Sequence, residues 1–227
     1  MDVNSLNKRY SDLEPKARLK QLFKDFDRVL VTSSFGTTSS IFLHLLHQVR
    51  PHHPIHFINT KYLFKETHTY RKELETRWNL NVVEVLPKRN ENTFTALNYT
   101  WSKDPDACCH FNKVMPLDDL KSKHEIWISG MIGGTTENRK GKEIFRQSGD
   151  IMRFYPLIDM ESQEAEWYKF MYELPQHPLK EKGFGSVGCE QCTVRGEGRA
   201  GRWAGKEKTE CGLHLVETEE ILSKSGS

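Results

Sequence analysis

The chain has 227 residues with 33 basic and 31 acidic side chains, a formal net charge of +2, which is too small to argue for nucleic acid or a membrane surface as a partner. Hydrophobic residues are 37% and charged residues 28% of the total, the balance of a globular protein with one main domain and a modest appendage. No apolar run approaches the roughly 20 residues of a membrane span.

The first residues, Met1 to Lys16, lack the apolar stretch of a secretory signal, so a reducing, cytoplasmic location is expected and disulfides are a poor default for the five cysteines. Residues 1–25 read as a polar, helix-prone lead-in. Arg28 to Thr32 is a short apolar run that ends in Ser33, Ser34, Phe35 and Gly36, and therefore reads as strand then turn. From Thr37 to Val49, Ile41 and Leu45 fall at helical spacing behind capping hydroxyls. The alternation continues with a strand at Ile55 to Ile58, a helix at Phe64 to Trp78, a strand at Asn81 to Val85 and another at Glu125 to Ser129. That order predicts an α/β fold over 26–183, a parallel sheet with helices on both faces. A last helix is expected from Met160 to Tyr172, capped by Asp159. Residues 184–227 read as loops and short turns.

Three features carry chemistry. Ser33 to Ser40 presents small hydroxyl residues and one glycine between a strand and a helix, where backbone amides can cradle an anion. It lacks the Gly-Lys-Ser/Thr ending of a Walker loop, and simple capping is the plain alternative. Its place at the carboxyl end of a leading strand favours a ligand. Cys108 and Cys109, with Cys189 and Cys192 downstream, are four thiols suited to zinc or to an iron-sulfur cluster. A redox pair is the simpler reading of the second two alone. Adjacent cysteines reach two corners of a cubane more readily than one small ion, which inclines the reading towards the cluster. Cys211, in a polar tail beside lysine and arginine, has the setting of a nucleophilic thiolate, or else is a stray thiol. Two basic stretches, one including Arg139, Lys142, Arg146 and Arg153 and one including Arg195, Arg199, Arg202, Lys206 and Lys208, are either solvated surface or the seat of a small anion.

Taken in order, Ser33–Gly36, Asn59–Thr67, Cys108–Leu117, Leu174–Leu179, Gly188–Thr193, Gly196–Trp203 and Glu210–His214 make the chain resemble the assimilatory sulfonucleotide reductases, which reduce adenylyl sulfate or its 3′-phosphorylated form to sulfite. The resemblance runs from about Arg28 to Leu215. It implies an adenine-nucleotide alpha-hydrolase-like (PP-loop) fold, a nucleotide-binding domain over 26–183, and a segment 184–227 that carries cluster ligands and the catalytic tail. It further implies a [4Fe-4S] cluster on Cys108, Cys109, Cys189 and Cys192, the branch that generally prefers adenylyl sulfate. Cys211 would attack the substrate sulfur, releasing AMP, and thioredoxin or glutaredoxin would free sulfite from the S-sulfocysteine.

Within that resemblance, Ser33, Ser34, Phe35, Gly36, Thr60, Arg139, Arg199 and Arg202 are expected to contact substrate. Lys113, four residues beyond Cys109 on a helix, is expected between cluster and substrate, and His214 is expected to bias the Cys211 thiol. No nucleic acid or membrane partner is implied, and homo-oligomerisation is left open. The chain departs from the family after Gly130, where the loop from Met131 to Asn138 lacks an expected arginine, and at Asn59 and Lys61, where aspartate and glycine are common. The competing readings are a reductase of the 3′-phosphorylated substrate, an ATP-using relative of the same fold, and a non-catalytic module whose four cysteines bind a structural metal.

Overall fold

A computed structural model describes residues 2–135, 139, 141–208, 210, 211 and 213. Helix α1 (Val3–Tyr10) begins where the Asp2 carboxylate accepts the Ser5 N–H at 3.1 Å, and α2 (Pro15–Asp25) begins on a proline, whose missing N–H is harmless at that position. Both helices turn their apolar residues, Leu6, Tyr10, Leu19 and Leu22, into the main core. Arg18, only 2% exposed, ties them to the rest of the chain. Its guanidinium donates to the carbonyls of Tyr10, Ser11 and Pro156 and, at 2.6 Å on each side, to both carboxylate oxygens of Asp159.

The sheet contains β1 (Val29–Ser33), β2 (Ile55–Ile58), β3 (Val82–Val85), β4 (Ile126–Ser129), β5 (Phe145–Ser148) and β6 (Ile151–Phe154) in the order β3-β2-β1-β4-β6-β5. All neighbouring pairs are parallel except β5 with β6. Side chains alternate across the pleat. Val29, Val31, Ile55, Phe57, Ile126 and Ile128 enter the larger core with α3 (Ser39–Val49), α4 (Lys65–Trp78) and α9 (Ser162–Met171). Leu30, Trp127 and Ile151 face the other way, against Leu117 and Leu120 of α8 (Met115–Lys121) and against Leu213. Helices therefore flank both faces, as the alternation of elements predicts, but unequally.

One local expectation changes. Asp159 does not cap α9: that helix starts at Ser162 behind Glu161, and no side chain caps it. The Asp159 carboxylate is taken by Arg18, because a buried guanidinium needs a partner more than a helix end open to water does. The β5–β6 hairpin has no clear apolar run, since Arg146, Gln147 and Arg153 interrupt it. Its signal was the two-residue turn Gly149-Asp150, with Gly149 at φ 57°, a left-handed position that favours glycine.

Between β3 and β4 the chain forms α5 (Arg89–Leu97), α6 (Thr100–Lys103) and α7 (Pro105–Cys109), then a π-helical turn at His110–Val114 that runs into α8. Pro116 offers no N–H, and its ring crowds the carbonyl of Asn112 four residues earlier, which widens the preceding turn. Among the described residues, no helix is long and apolar enough to cross a membrane.

Candidate active site

The strand order reverses between β1 and β4: from β1 the chain passes to β2 on one side and later returns to β4 on the other. Open α/β sheets leave a crevice at the carboxyl ends of the strands at such a point. Here that crevice is a cleft of about 200 Å³. Ser33, Ser34 and Gly36 reach it from the end of β1, Thr60 from the end of β2, and Ser129 and Gly130 from the end of β4. Thr37, Thr38 and Ser39 at the start of α3 complete a rim of hydroxyls and amides.

Phe35 behaves differently from its neighbours. It is fully buried, with φ at 48°, and its ring meets Phe57 edge-on at 5.3 Å. The left-handed backbone turns this one side chain into the core while Ser34 and Gly36 face the cleft. As a side chain, then, Phe35 anchors the loop and does not line the site.

The opposite wall comes from the C-terminal segment. It is held to the domain by Thr37, whose hydroxyl donates to the Gly185 carbonyl at 2.9 Å, and by an antiparallel bridge between Leu63 and Cys189. Arg202 donates to the Val187 carbonyl at 3.1 Å and stacks over Trp203 at 4.4 Å. That position requires Gly188, since a Cβ there would lie 2.2 Å from the guanidinium. Gly201 is tighter still, with the Val194 carbonyl oxygen 2.0 Å from where a Cβ would stand. Lys206 donates to the carbonyls of Trp101 and Ser102, and Lys208 pairs with Asp106, so the segment is fastened to α6 and α7.

Lys113, Arg139, Arg199, Arg202 and Cys211 all line the same cleft. Glu210 is 6% exposed and accepts from Arg139 Nε at 2.8 Å, Arg139 Nη2 at 3.1 Å and Arg199 Nη2 at 2.9 Å. Burial alone would raise its pKa, but these bonds and charges outweigh burial and hold the carboxyl below its usual range. Burial, reinforced by Arg139, pushes Arg199 down to about 10 against the pull of Glu210. Sequence reasoning passed over Glu210, although it directly precedes Cys211.

All five cysteines are free thiols, and Cys108, Cys109 and Cys189 are buried. Cys108 and Cys189 pack with Tyr62, and Cys192 lies against them. Burial and the neighbouring thiols push Cys108 up to about 12, and burial also raises Cys109 and Cys192. Without a cation, thiolates here would be desolvated and would repel one another. A soft-metal group relieves both costs, so the donor set fits one in chemistry. Among the described residues no group of three or more His, Cys, Asp or Glu is set to hold a single metal ion. Lys113 lines the cleft and is near enough to Cys189 and Cys109 to feel their charge. Burial opposes its charge, but Cys189, Cys109 and Cys211 outweigh burial and raise its pKa.

A buried polar network supports this region. Asn112, on the π turn, donates to Thr95 at 3.0 Å and to the Cys108 carbonyl at 2.9 Å, and accepts from Asn92 at 2.7 Å. Asn92 also donates to the Thr60 carbonyl at 3.0 Å, and the Tyr62 and Thr95 hydroxyls are 2.8 Å apart. Thr60 Oγ1 is 3.3 Å from Cys189 Sγ. An asparagine in mid-helix, three residues after paired cysteines, was the available sign of this network. His214 lies outside the described residues, as do Thr136, Glu137 and Asn138 of the divergent loop.

The family model described as the phosphoadenosine phosphosulfate reductase domain matches residues 28–195. Adenosine 5′-phosphosulfate reductase of Bacillus cereus strain 03BB102 is 34% identical over 206 residues, covering 86% of this chain and 88% of its own length. The protein of the same name from B. cereus strain Q1 is 34% identical over 214 residues, covering 88% and 92% respectively. Among solved structures, phosphoadenylyl-sulfate reductase from Candida auris superposes with a TM-score of 0.73 at 20% identity, covering 84% of this chain and 95% of that one. The FMN adenylyltransferase of Candida glabrata shares the fold more loosely, with a TM-score of 0.55 at 14% identity and coverage of 98% and 83%.

Proposed function

Because the chain belongs to the phosphoadenosine phosphosulfate reductase family, the sulfonucleotide reductases, we propose that it reduces adenylyl sulfate to sulfite and AMP at the expense of a dithiol. The observation that carries this reading is the position of Cys211, a thiol on the wall of the crevice at the carboxyl ends of the strands, which also contains Lys113, Arg139, Arg199 and Arg202. A cysteine needs such cations when its target is the sulfuryl group of a phosphate–sulfate anhydride, since nucleophile and substrate are both anionic. The names of the curated relatives favour adenylyl sulfate over its 3′-phosphorylated form; competition between the two nucleotides for turnover tests this choice.

In the proposed reaction the Cys211 thiolate attacks sulfur, the bond between sulfur and the phosphate oxygen breaks, and AMP leaves with that electron pair. Ser33, Ser34, Gly36 and Thr60 would hold the anionic end of the substrate through hydroxyls and amides, while Arg199 and Arg202 offset the charge gathering on oxygen. A thiolate of the reductant, thioredoxin or glutaredoxin, then attacks Cys211 Sγ and displaces sulfite. Its second thiol resolves the mixed disulfide, so both electrons come from the dithiol. Such thiol-driven turnover suits the reducing cytoplasm.

Cys108, Cys109, Cys189 and Cys192 would hold a [4Fe-4S] cluster, whose role when bound is to organise and polarise the anion site through Lys113. The support is the donor set, four free thiols with two adjacent in sequence. Incubating the protein with adenylyl sulfate and no reductant tests the proposal: a mass gain of one SO₃ group on Cys211 is expected. No adduct, or an adduct that persists in Cys211→Ser, would overturn it.

A further inference from the structure

We infer that Glu210 is the positioning residue that latches Cys211 into the cleft, using the arginines that receive the substrate anion as its dock. The inference rests on the function proposed above. Glu210 and Cys211 are adjacent, so whatever holds the carboxylate also sets where the thiol stands. The carboxylate is buried and takes three hydrogen bonds from two guanidiniums. Such charge-assisted, forked pairing has geometric specificity as well as strength. Arg139 follows β4 and Arg199 belongs to the glycine-rich segment after Cys192, so one carboxylate joins the tail to both walls of the site. Leu213 adds an apolar contact beyond the thiol, against the face of the sheet that carries Leu30 and Trp127.

The latch has two consequences of opposite sign. Docked, it holds the thiol beside the cleft and favours attack on the substrate. It also neutralises part of the charge that attracts the substrate, since Glu210 occupies Arg139 and Arg199. The reductant must reach the same sulfur once it is sulfonated, which a tail held this firmly resists. Removing the charge of Glu210 therefore weakens the first half-reaction and relieves the second.

The experiment uses the full chain, reduced, as wild type, Glu210→Gln and Glu210→Asp. Alkylation of Cys211 by iodoacetamide, followed by peptide mass, reads how often the tail leaves the cleft. About tenfold faster alkylation is expected in Glu210→Gln, the scale of losing hydrogen bonds to a buried charge, with most of the protection restored in Glu210→Asp. In turnover, kcat and KM of Glu210→Gln for adenylyl sulfate both fall, since the freed arginines bind the anion better while the thiol is held worse. Release of sulfite by thioredoxin from the isolated S-sulfonated protein is not slowed. Equal alkylation rates in wild type and Glu210→Gln overturn the latch, as does a parallel slowing of both half-reactions with a lowered melting midpoint. If alkylation responds as expected but wild-type Cys211 is never sulfonated, the latch stands and the proposed reaction fails.

Discussion

Asn112 Nδ2 donates to the carbonyl of Cys108 at 2.9 Å and lies 3.7 Å from the sulfur of the same residue, so the widened turn that carries Asn112 also fixes the first of the tandem cysteines. The same amide holds Thr95, and its oxygen accepts from Asn92.

Asn112→Leu leaves Thr95 and Asn92 without these partners in a buried setting. A loss of about 2–4 kcal/mol of stability is expected, the cost of stranding buried polar groups. Urea unfolding checks it. The same variant should retain less of any metal bound at the cysteines, because the Cys108 side of the thiol group is no longer held.

Cys211→Ser keeps the cleft and removes the nucleophile. Turnover of adenylyl sulfate should fall by at least roughly three orders of magnitude, with nucleotide affinity unchanged. Sulfite production together with AMP binding measured by calorimetry separates the two effects.

Gly188→Ala and Gly201→Ala should fail in different ways. A methyl at 188 meets the end of the Arg202 side chain, which can swing away, so KM for the anionic substrate rises with little change in stability. A methyl at 201 meets the Val194 carbonyl oxygen, which belongs to the backbone and cannot yield cheaply. That variant should lose about 1–3 kcal/mol, the usual range for overpacking. Melting midpoints and steady-state kinetics of the pair distinguish these outcomes.

His177 predicts the acid limb of stability. It is fully buried; the Leu179 N–H donates to its Nδ1 at 3.2 Å, so the neutral ring carries its proton on Nε2 and donates to Thr67 Oγ1 at 3.1 Å. Burial pushes its pKa down to about 4 from 6.5. Between those values the unfolded chain binds the extra proton, so stability is complete above pH 6.5 and declines as pH falls towards 4. The decline attributable to this residue is up to about 3 kcal/mol. His177→Gln should be less stable at neutral pH yet show a flatter profile between pH 6.5 and 4, as measured by urea unfolding across that range.

Anaerobically purified protein should be brown, absorb broadly near about 400 nm and contain iron and sulfide in comparable amounts. Removing the metal with a chelator under reducing conditions should lower both stability and turnover. A colourless protein with stoichiometric zinc would contradict the proposed cluster and favour a structural site made by the same four cysteines.

Most of the sheet was legible because buried parallel strands appear as short apolar runs, and Val29, Ile55 and Ile126 each sit within one. The hairpin was not, because Arg146 and Arg153 interrupt β5 and β6; Arg153 is buried with its guanidinium 5.0 Å from the Trp127 ring. The π turn was hidden as well, since the spacing of Cys109 and Lys113 suits an ordinary helix, and only the crowding by Pro116 widens it.

The family and the alternation of strands and helices could be read from the order of residues alone. Thiols, arginines and glycines at set spacings are chemical requirements that survive in order along a chain. Three-dimensional packing was needed to show that Phe35 points away from the loop it belongs to, that Asp159 serves Arg18 and not a helix end, and that Glu210 joins Arg139 to Arg199. Each of these is a contest between partners distant in sequence, settled by which buried charge or ring most needs company, and such a contest leaves no local pattern to read.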